Sequence, residues 1–133
     1  VEAMLDTTKD IHVIRDATRG GVGTVLYEIA GQSHVGIHLD SQAIPVDPAV
    51  RGVCGMLGLE PLYLACEGRL VIFAPKAVAG DIVATLRQGK YSKDAAIIGE
   101  VTADQPGRVI MRTEIGAETL LPPPGGELLP RIC

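Results

Sequence analysis

Apolar residues recur along the chain at two distinct periods. Val22, Val25, Leu26 and Ile29 stand at i, i+3, i+4 and i+7, one face of a helix, entered through the glycine-rich run Arg15–Gly23 and stopped at Gly31. Val35, Ile37 and Leu39 alternate with Gly36 and His38, which predicts a strand over 35–40 with His34 and His38 on its other face. Asp47 and Pro48 supply an N-cap and a first-turn proline for a second helix, whose apolar face is Val50, Val53, Cys54 and Leu57 and whose stop is Gly58. Leu70 to Phe73 form a short continuous apolar strand. Pro75 opens a third helix with Val78, Ile82, Val83 and Leu86 on one face and Gly89 as its end. Further strands are predicted over 95–101, 108–115 and 118–121. Residues 1–14 show no clean period beyond a short alternation around Ile11 and Val13. The fold class is α+β, with helices packed on a mainly antiparallel or mixed sheet.

Composition narrows the function classes. The 133 residues are 47% hydrophobic with three Tyr, one Phe and no Trp, so the core is aliphatic. A net charge of −4 without blocks of like sign argues against nucleic acid or an anionic membrane as partner. No apolar run approaches the ~18 residues of a membrane span, and the opening does not read as a signal peptide. Three cysteines, an odd number without CxxC spacing, suit a reducing cytoplasm. The histidines lack partners at ligand spacing, so no metal site is expected. The chain begins at Val1, which reads as a fragment whose N-terminal part is missing.

Three places carry candidate chemistry. Pro122, Pro123, Pro124, Gly125 and Gly126 cannot continue a helix or a central strand, which divides the chain into a domain over 1–121 and a flexible tail over 122–133. Twelve residues reach about 40 Å when extended. The tail ends on Cys133, a thiol with nothing after it, able to enter another protein's active site much as a small molecule would; a frayed terminus is the plain alternative. Gly20 and Gly21 at a helix start suit an anion such as phosphate, or else serve tight packing and positive φ with Arg15 and Arg19 solvated. Glu67, at a turn between apolar segments, is either a solvated carboxylate or a general base at the rim of a cleft. Cys54 and Cys66 read as small core residues.

Arg15-Asp16-Ala17-Thr18-Arg19-Gly20-Gly21 resembles the signature that opens the C-terminal domain of the aminoimidazole-ribonucleotide synthetase (PurM-like) superfamily. Pro130-Arg131-Ile132-Cys133 resembles the terminus specific to its hydrogenase maturation branch, the HypE family, and Tyr63–Gly68 and Ala43–Val46 are similar to segments of that family. The resemblance spans nearly the whole chain. It implies a PurM C-terminal-domain-like mixed sheet and a carbamoyl dehydratase that makes the cyanide ligands of the nickel–iron hydrogenase centre. A carbamoyltransferase, HypF, would load Cys133; ATP with Mg2+ would drive dehydration to a thiocyanate; the cyano group would pass to iron on a HypC–HypD complex. The resemblance makes Glu67 the base and Arg15, Asp16, Thr18, Arg19, Gly20 and Gly21 the nucleotide-side residues. It places most of the ATP and magnesium site, and the homodimer contact, in an N-terminal domain not found in this sequence, so the fragment alone is expected to be inactive. Two other classes stay open: a non-catalytic docking module that presents the terminal thiol, and another PurM-like phosphotransferase indifferent to Cys133.

Overall fold

The structure, a computed structural model, describes residues 1–125. Its elements in chain order are α1 (Glu2–Thr7), β1 (Val13–Asp16), α2 (Gly21–Ser33), β2 (Gly36–Asp40), α3 (Pro48–Leu57), a 3-10 turn (Pro61–Tyr63), β3 (Leu70–Phe73), α4 (Lys76–Arg87), β4 (Gly99–Thr102), β5 (Val109–Arg112) and β6 (Glu118–Leu120). Four strands form a sheet in the order β4-β2-β5-β6, and β1 with β3 forms a separate antiparallel ribbon. Within the sheet β2 and β5 run parallel, Ile37 opposite Val109 and Leu39 opposite Met111, while the outer pairs are antiparallel. This is the mixed α+β arrangement that the alternation of periods predicted.

The core forms where α2 covers the sheet. Val25, Leu26, Ile29 and Ala30 of the helix meet Ile37, Leu39 and Val109 of the strands, and Leu62, Val71 and Leu121 close the cluster. Each Val, Leu or Ile among these taken fully out of water contributes about 1.5–3 kcal/mol. Leu121, only 1% exposed, is part of this core although it stands just before the prolines. α1 packs against α4, where the Thr7 and Thr85 hydroxyls are 3.0 Å apart and Met4 and Ile82 are buried.

Several sequence expectations are corrected. α1 replaces the aperiodic reading of residues 1–7: a single turn and a half needs only one buried anchor, Met4, and one anchor makes no period. α2 runs past Gly31 to Ser33 and ends where His34 adopts the left-handed conformation, its N–H donating to the Ala30 carbonyl. His34 therefore belongs to the helix cap and not to the strand. The strand expected over 95–101 begins only at Gly99, because a turn closes from Ala95 N–H to Ser92 O at 3.1 Å. That expected over 108–115 ends at Arg112, because Thr113 N–H turns back onto Ala117 O at 2.8 Å with Gly116 at φ 81°. α3 keeps its predicted caps, Asp47 accepting from Ala49 N–H at 2.8 Å and Gly58 left-handed, but its apolar stripe is not a core face. Only Cys54 is buried; Val50, Val53 and Leu57 are exposed.

Candidate functional site

Ala17 is the hinge of the site. Its N–H donates to Arg69 O at 3.0 Å and its carbonyl accepts from Cys66 N–H at 3.1 Å. These bonds extend the β1–β3 ribbon, in which Asp16 stands opposite Leu70, by one step beyond its regular end. The Arg15–Gly21 loop is thereby tied to the Cys66-Glu67-Gly68 turn across some fifty residues of sequence. Gly68 is left-handed at φ 72°, which fits its place in a tight turn. Glu67 sits in that turn, exposed. Cys66 is half-buried, its thiol facing Leu64 O at 3.4 Å.

The loop itself is internally satisfied. Arg15 pairs with Glu28 of α2 at 2.6 Å, and Thr18 Oγ1 donates to Asp16 Oδ2 at 2.5 Å. The Thr18 hydrogen bond, with its own backbone N–H and Arg15 helping, holds the Asp16 carboxyl below the usual carboxylate range. Together with Arg19 and Val25 these residues line a cleft of about 340 Å³. Two cations and two carboxylates stand on its walls; Arg15 and Glu28 are bonded to each other, which leaves Arg19 and Asp16 there without an ion-pair partner among the described residues. The cleft offers neither an aromatic nor a broad apolar wall for a nucleobase. Among the described residues no cluster of three or more His, Cys, Asp or Glu is placed to hold a metal ion.

The glycines of the motif have a packing role that is fully visible. At Gly20 and Gly21 the backbone is left-handed, φ 71° and 66°. The space a Cβ would take at Gly21 is filled by the carbonyl oxygens of Leu62 and Leu64, and at Gly23 by the ring of Tyr63. The 3-10 turn thus lies directly on the first turn of α2. Glu60 caps that turn, accepting from Leu62 N–H at 3.2 Å.

Two residues that sequence reasoning passed over complete the site. Tyr27 of α2 donates its hydroxyl to Leu121 O, and Tyr63 of the 3-10 turn donates to Pro122 O. Burial, with Tyr27 and Glu60 nearby, pushes the Tyr63 phenol up to about 12, and burial raises that of Tyr27. The signal available was scarcity: an aliphatic core with three tyrosines holds two of them beside the start of the tail. Residues 126–133 of the tail, with Arg131 and Cys133, lie outside the described residues.

The chain is similar to known proteins over nearly its whole length. The chain is 44% identical over 133 residues to the carbamoyl dehydratase HypE of Azotobacter vinelandii, all of this chain against 39% of that protein. The crystal structure of Escherichia coli HypE, a hydrogenase maturation protein, superposes with a TM-score of 0.89 at 42% identity, covering 98% of this chain and 41% of the other. A crystallised HypE–HypF complex contains a chain that matches with a TM-score of 0.87 at 36% identity, covering 92% of this chain and 40% of its own length. The chain thus spans about two fifths of the length of the relatives it matches. No helix among the described residues is long and apolar enough to cross a membrane. Residues 1–112 match the family described as AIR synthase related protein, C-terminal domain, and the chain belongs to that family as a homologue of the C-terminal part of the HypE proteins.

Proposed function

We propose that this chain is the thiol-presenting part of a carbamoyl dehydratase serving nickel–iron hydrogenase maturation, with a domain over 1–121 and a tail over 122–133 that carries the acceptor, Cys133. The observation that supports it best is the pair of backbone hydrogen bonds at Ala17, which sets Glu67 beside the Arg15–Gly21 loop. Glu67 is not itself on the cleft wall, but it adjoins the loop whose Arg15, Asp16, Thr18 and Arg19 line it, and an amide dehydration needs a carboxylate and a phosphate-side cation near one another.

In this reading the Cys133 sulfur takes a carbamoyl group from a HypF-type partner. The thiol is a weak nucleophile while protonated, so the partner supplies the base for that step. The amide oxygen of the resulting thiocarbamate is a poor leaving group. ATP, held with Mg2+ mainly by the part of the relatives' length beyond this chain, supplies the phosphoryl group that lets it depart as phosphate. Glu67 removes the first proton from the amide nitrogen as the C=N bond forms, passes it to water from its exposed position, and then takes the second as the C–O bond breaks and the nitrile results. Arg19 and Thr18 steady the phosphate side of the cleft. The cyano group then passes to iron on a HypC–HypD-type complex, and the full-length protein works as a homodimer.

The exposed Val50, Val53, Met56 and Leu57 on α3 favour a second reading, a docking module without chemistry of its own. Intact mass after incubation with HypF, carbamoyl phosphate and ATP separates the two. The enzyme reading expects an added carbamoyl mass that Cys133→Ala abolishes, then loss of one water in a chain of full length. An adduct on Cys133 that never loses water in the full-length protein favours the docking module, and an adduct elsewhere overturns both.

A further inference from the structure

The tail leaves the domain at a point held more firmly than a chain terminus requires. Leu121 is tied three ways: its side chain is in the core, its N–H donates to Val109 O at 2.9 Å, and its carbonyl accepts from Tyr27. Pro122 has no N–H, so its carbonyl is its sole backbone hydrogen-bonding group, and Tyr63 takes it. Two hydroxyls from separate elements, α2 and the 3-10 turn, thus converge on consecutive carbonyls.

The three prolines at the clamp, Pro122 to Pro124, make a stiff stretch ahead of the permissive Gly125 and Gly126. Leu121, Pro122 and Pro123 each precede a proline, which confines their backbone to extended or polyproline geometry, and such a run behaves as a semi-rigid spacer. A stiff arm fixed at its base points in one direction. Tyr63 lies four residues before Glu67, so the two Cα atoms are at most about 15 Å apart. Residues 123–133 reach about 36–40 Å when extended. Length is in excess, so a fixed direction at the root narrows the space that the terminal thiol searches.

We propose that Tyr27 and Tyr63 are positioning residues that clamp the root of the tail at Leu121–Pro122 and aim the proline arm, so that the terminal thiol is delivered to Glu67 from a fixed mount. The clamp and the carboxylate share one support, because the 3-10 turn that carries Tyr63 continues into the Glu67 turn. The high phenol pKa values keep both donors protonated across the physiological range. The catalytic consequence of the clamp rests on Cys133 being the acceptor and Glu67 the base; its mechanical part does not.

The test uses a chain at its relatives' full length, comparing wild type with Tyr27→Phe/Tyr63→Phe, which keeps both rings and removes both donors. For the mechanical part, nitroxides are placed at Cys133 and at Ser33→Cys, with Cys54→Ala and Cys66→Ser, and the interlabel distance distribution is measured. A broader distribution in the double variant is expected; an unchanged one overturns the clamp. For the chemical part, single-turnover water loss from the carbamoylated protein is divided by the rate of carbamoyl uptake. This ratio is expected to fall about 3- to 10-fold, as when an intramolecular encounter loses its orientation. A fall in both rates together, with a lower Tm, marks a merely structural role and overturns positioning. If wild type takes no carbamoyl group on Cys133, the functional reading fails, and the distance measurement still decides the clamp.

Discussion

Gly23 lies against the Tyr63 ring so closely that a Cβ there would stand 2.6 Å from Cε1. The missing side chain is what lets the 3-10 turn settle on α2, and with it the Glu67 turn and the tail root. Gly23→Ala should therefore cost about 1–3 kcal/mol through forced repacking. Gly31, in the same helix, has nothing within 4 Å of its virtual Cβ, and Gly31→Ala should stabilise by about 0.5–1 kcal/mol through helix propensity. Urea denaturation of the two variants should give shifts of opposite sign. Shifts of the same sign would show that helix propensity, and not the Tyr63 contact, governs both positions.

Asp47 caps α3 through Ala49 N–H, and little else holds that helix, since only Cys54 of its stripe is buried. Asp47→Ala should cost about 1 kcal/mol, and Asp47→Ser much less. The amides of Ala49 to Arg51 should exchange faster with solvent while those of α2 keep their protection. Equal loss of protection in both helices would mean that α3 is an integral part of the core.

Local signals predicted the fold where one element met one neighbour. The α2 face, the β2 alternation and the α3 caps all follow from spacing, because each residue's role is decided within a turn or a strand. The α3 stripe misled because apolar spacing shows which residues could be covered, not whether anything covers them. The site was half legible. Glu67 and the Arg15–Gly21 loop could be named separately, but their junction at Ala17 is made by main-chain groups, which leave no mark on residue type. The tyrosine clamp was hidden for the same reason: its acceptors are the carbonyls of Leu121 and Pro122, which every sequence has at every position.

Alkaline pH should test the two half-buried phenols. Tyr63 holds its proton up to about 12 in the folded chain against 10.0 unperturbed, because burial disfavours the phenolate. Its neutral form therefore adds stability in full below pH 10, and that contribution is lost as pH rises toward 12. Asp16 and Asp40, lowered by the Thr18 hydroxyl and the Arg112 guanidinium respectively, act at the other end, where stability falls as pH drops below 3.8. Tyr63→Phe should flatten the alkaline limb and leave the acid limb as it is. The measurement is Tm across the pH range; a variant with the wild-type alkaline limb would assign that limb to other groups.

Glu67 is exposed and makes no side-chain hydrogen bond among the described residues, so replacing it disturbs no packing. That makes it a clean subject for a catalytic test. In a chain at its relatives' full length, Glu67→Gln keeps shape and volume but cannot accept a proton, and water loss from the carbamoylated Cys133 should slow by about 10²–10⁴-fold, the usual weight of a positioned base. Carbamoyl uptake by the thiol precedes any need for Glu67 and should continue, so the carbamoylated form should accumulate in the mass spectrum. Raising the pH should restore little, because the missing group is an acceptor at a set place and not merely a basic solution. If the variant dehydrates at the wild-type rate, the base is another group, in this chain or in the part of the relatives' length beyond it. The Ala17 junction would then serve to hold the cleft for the phosphate and not to present a carboxylate to the amide.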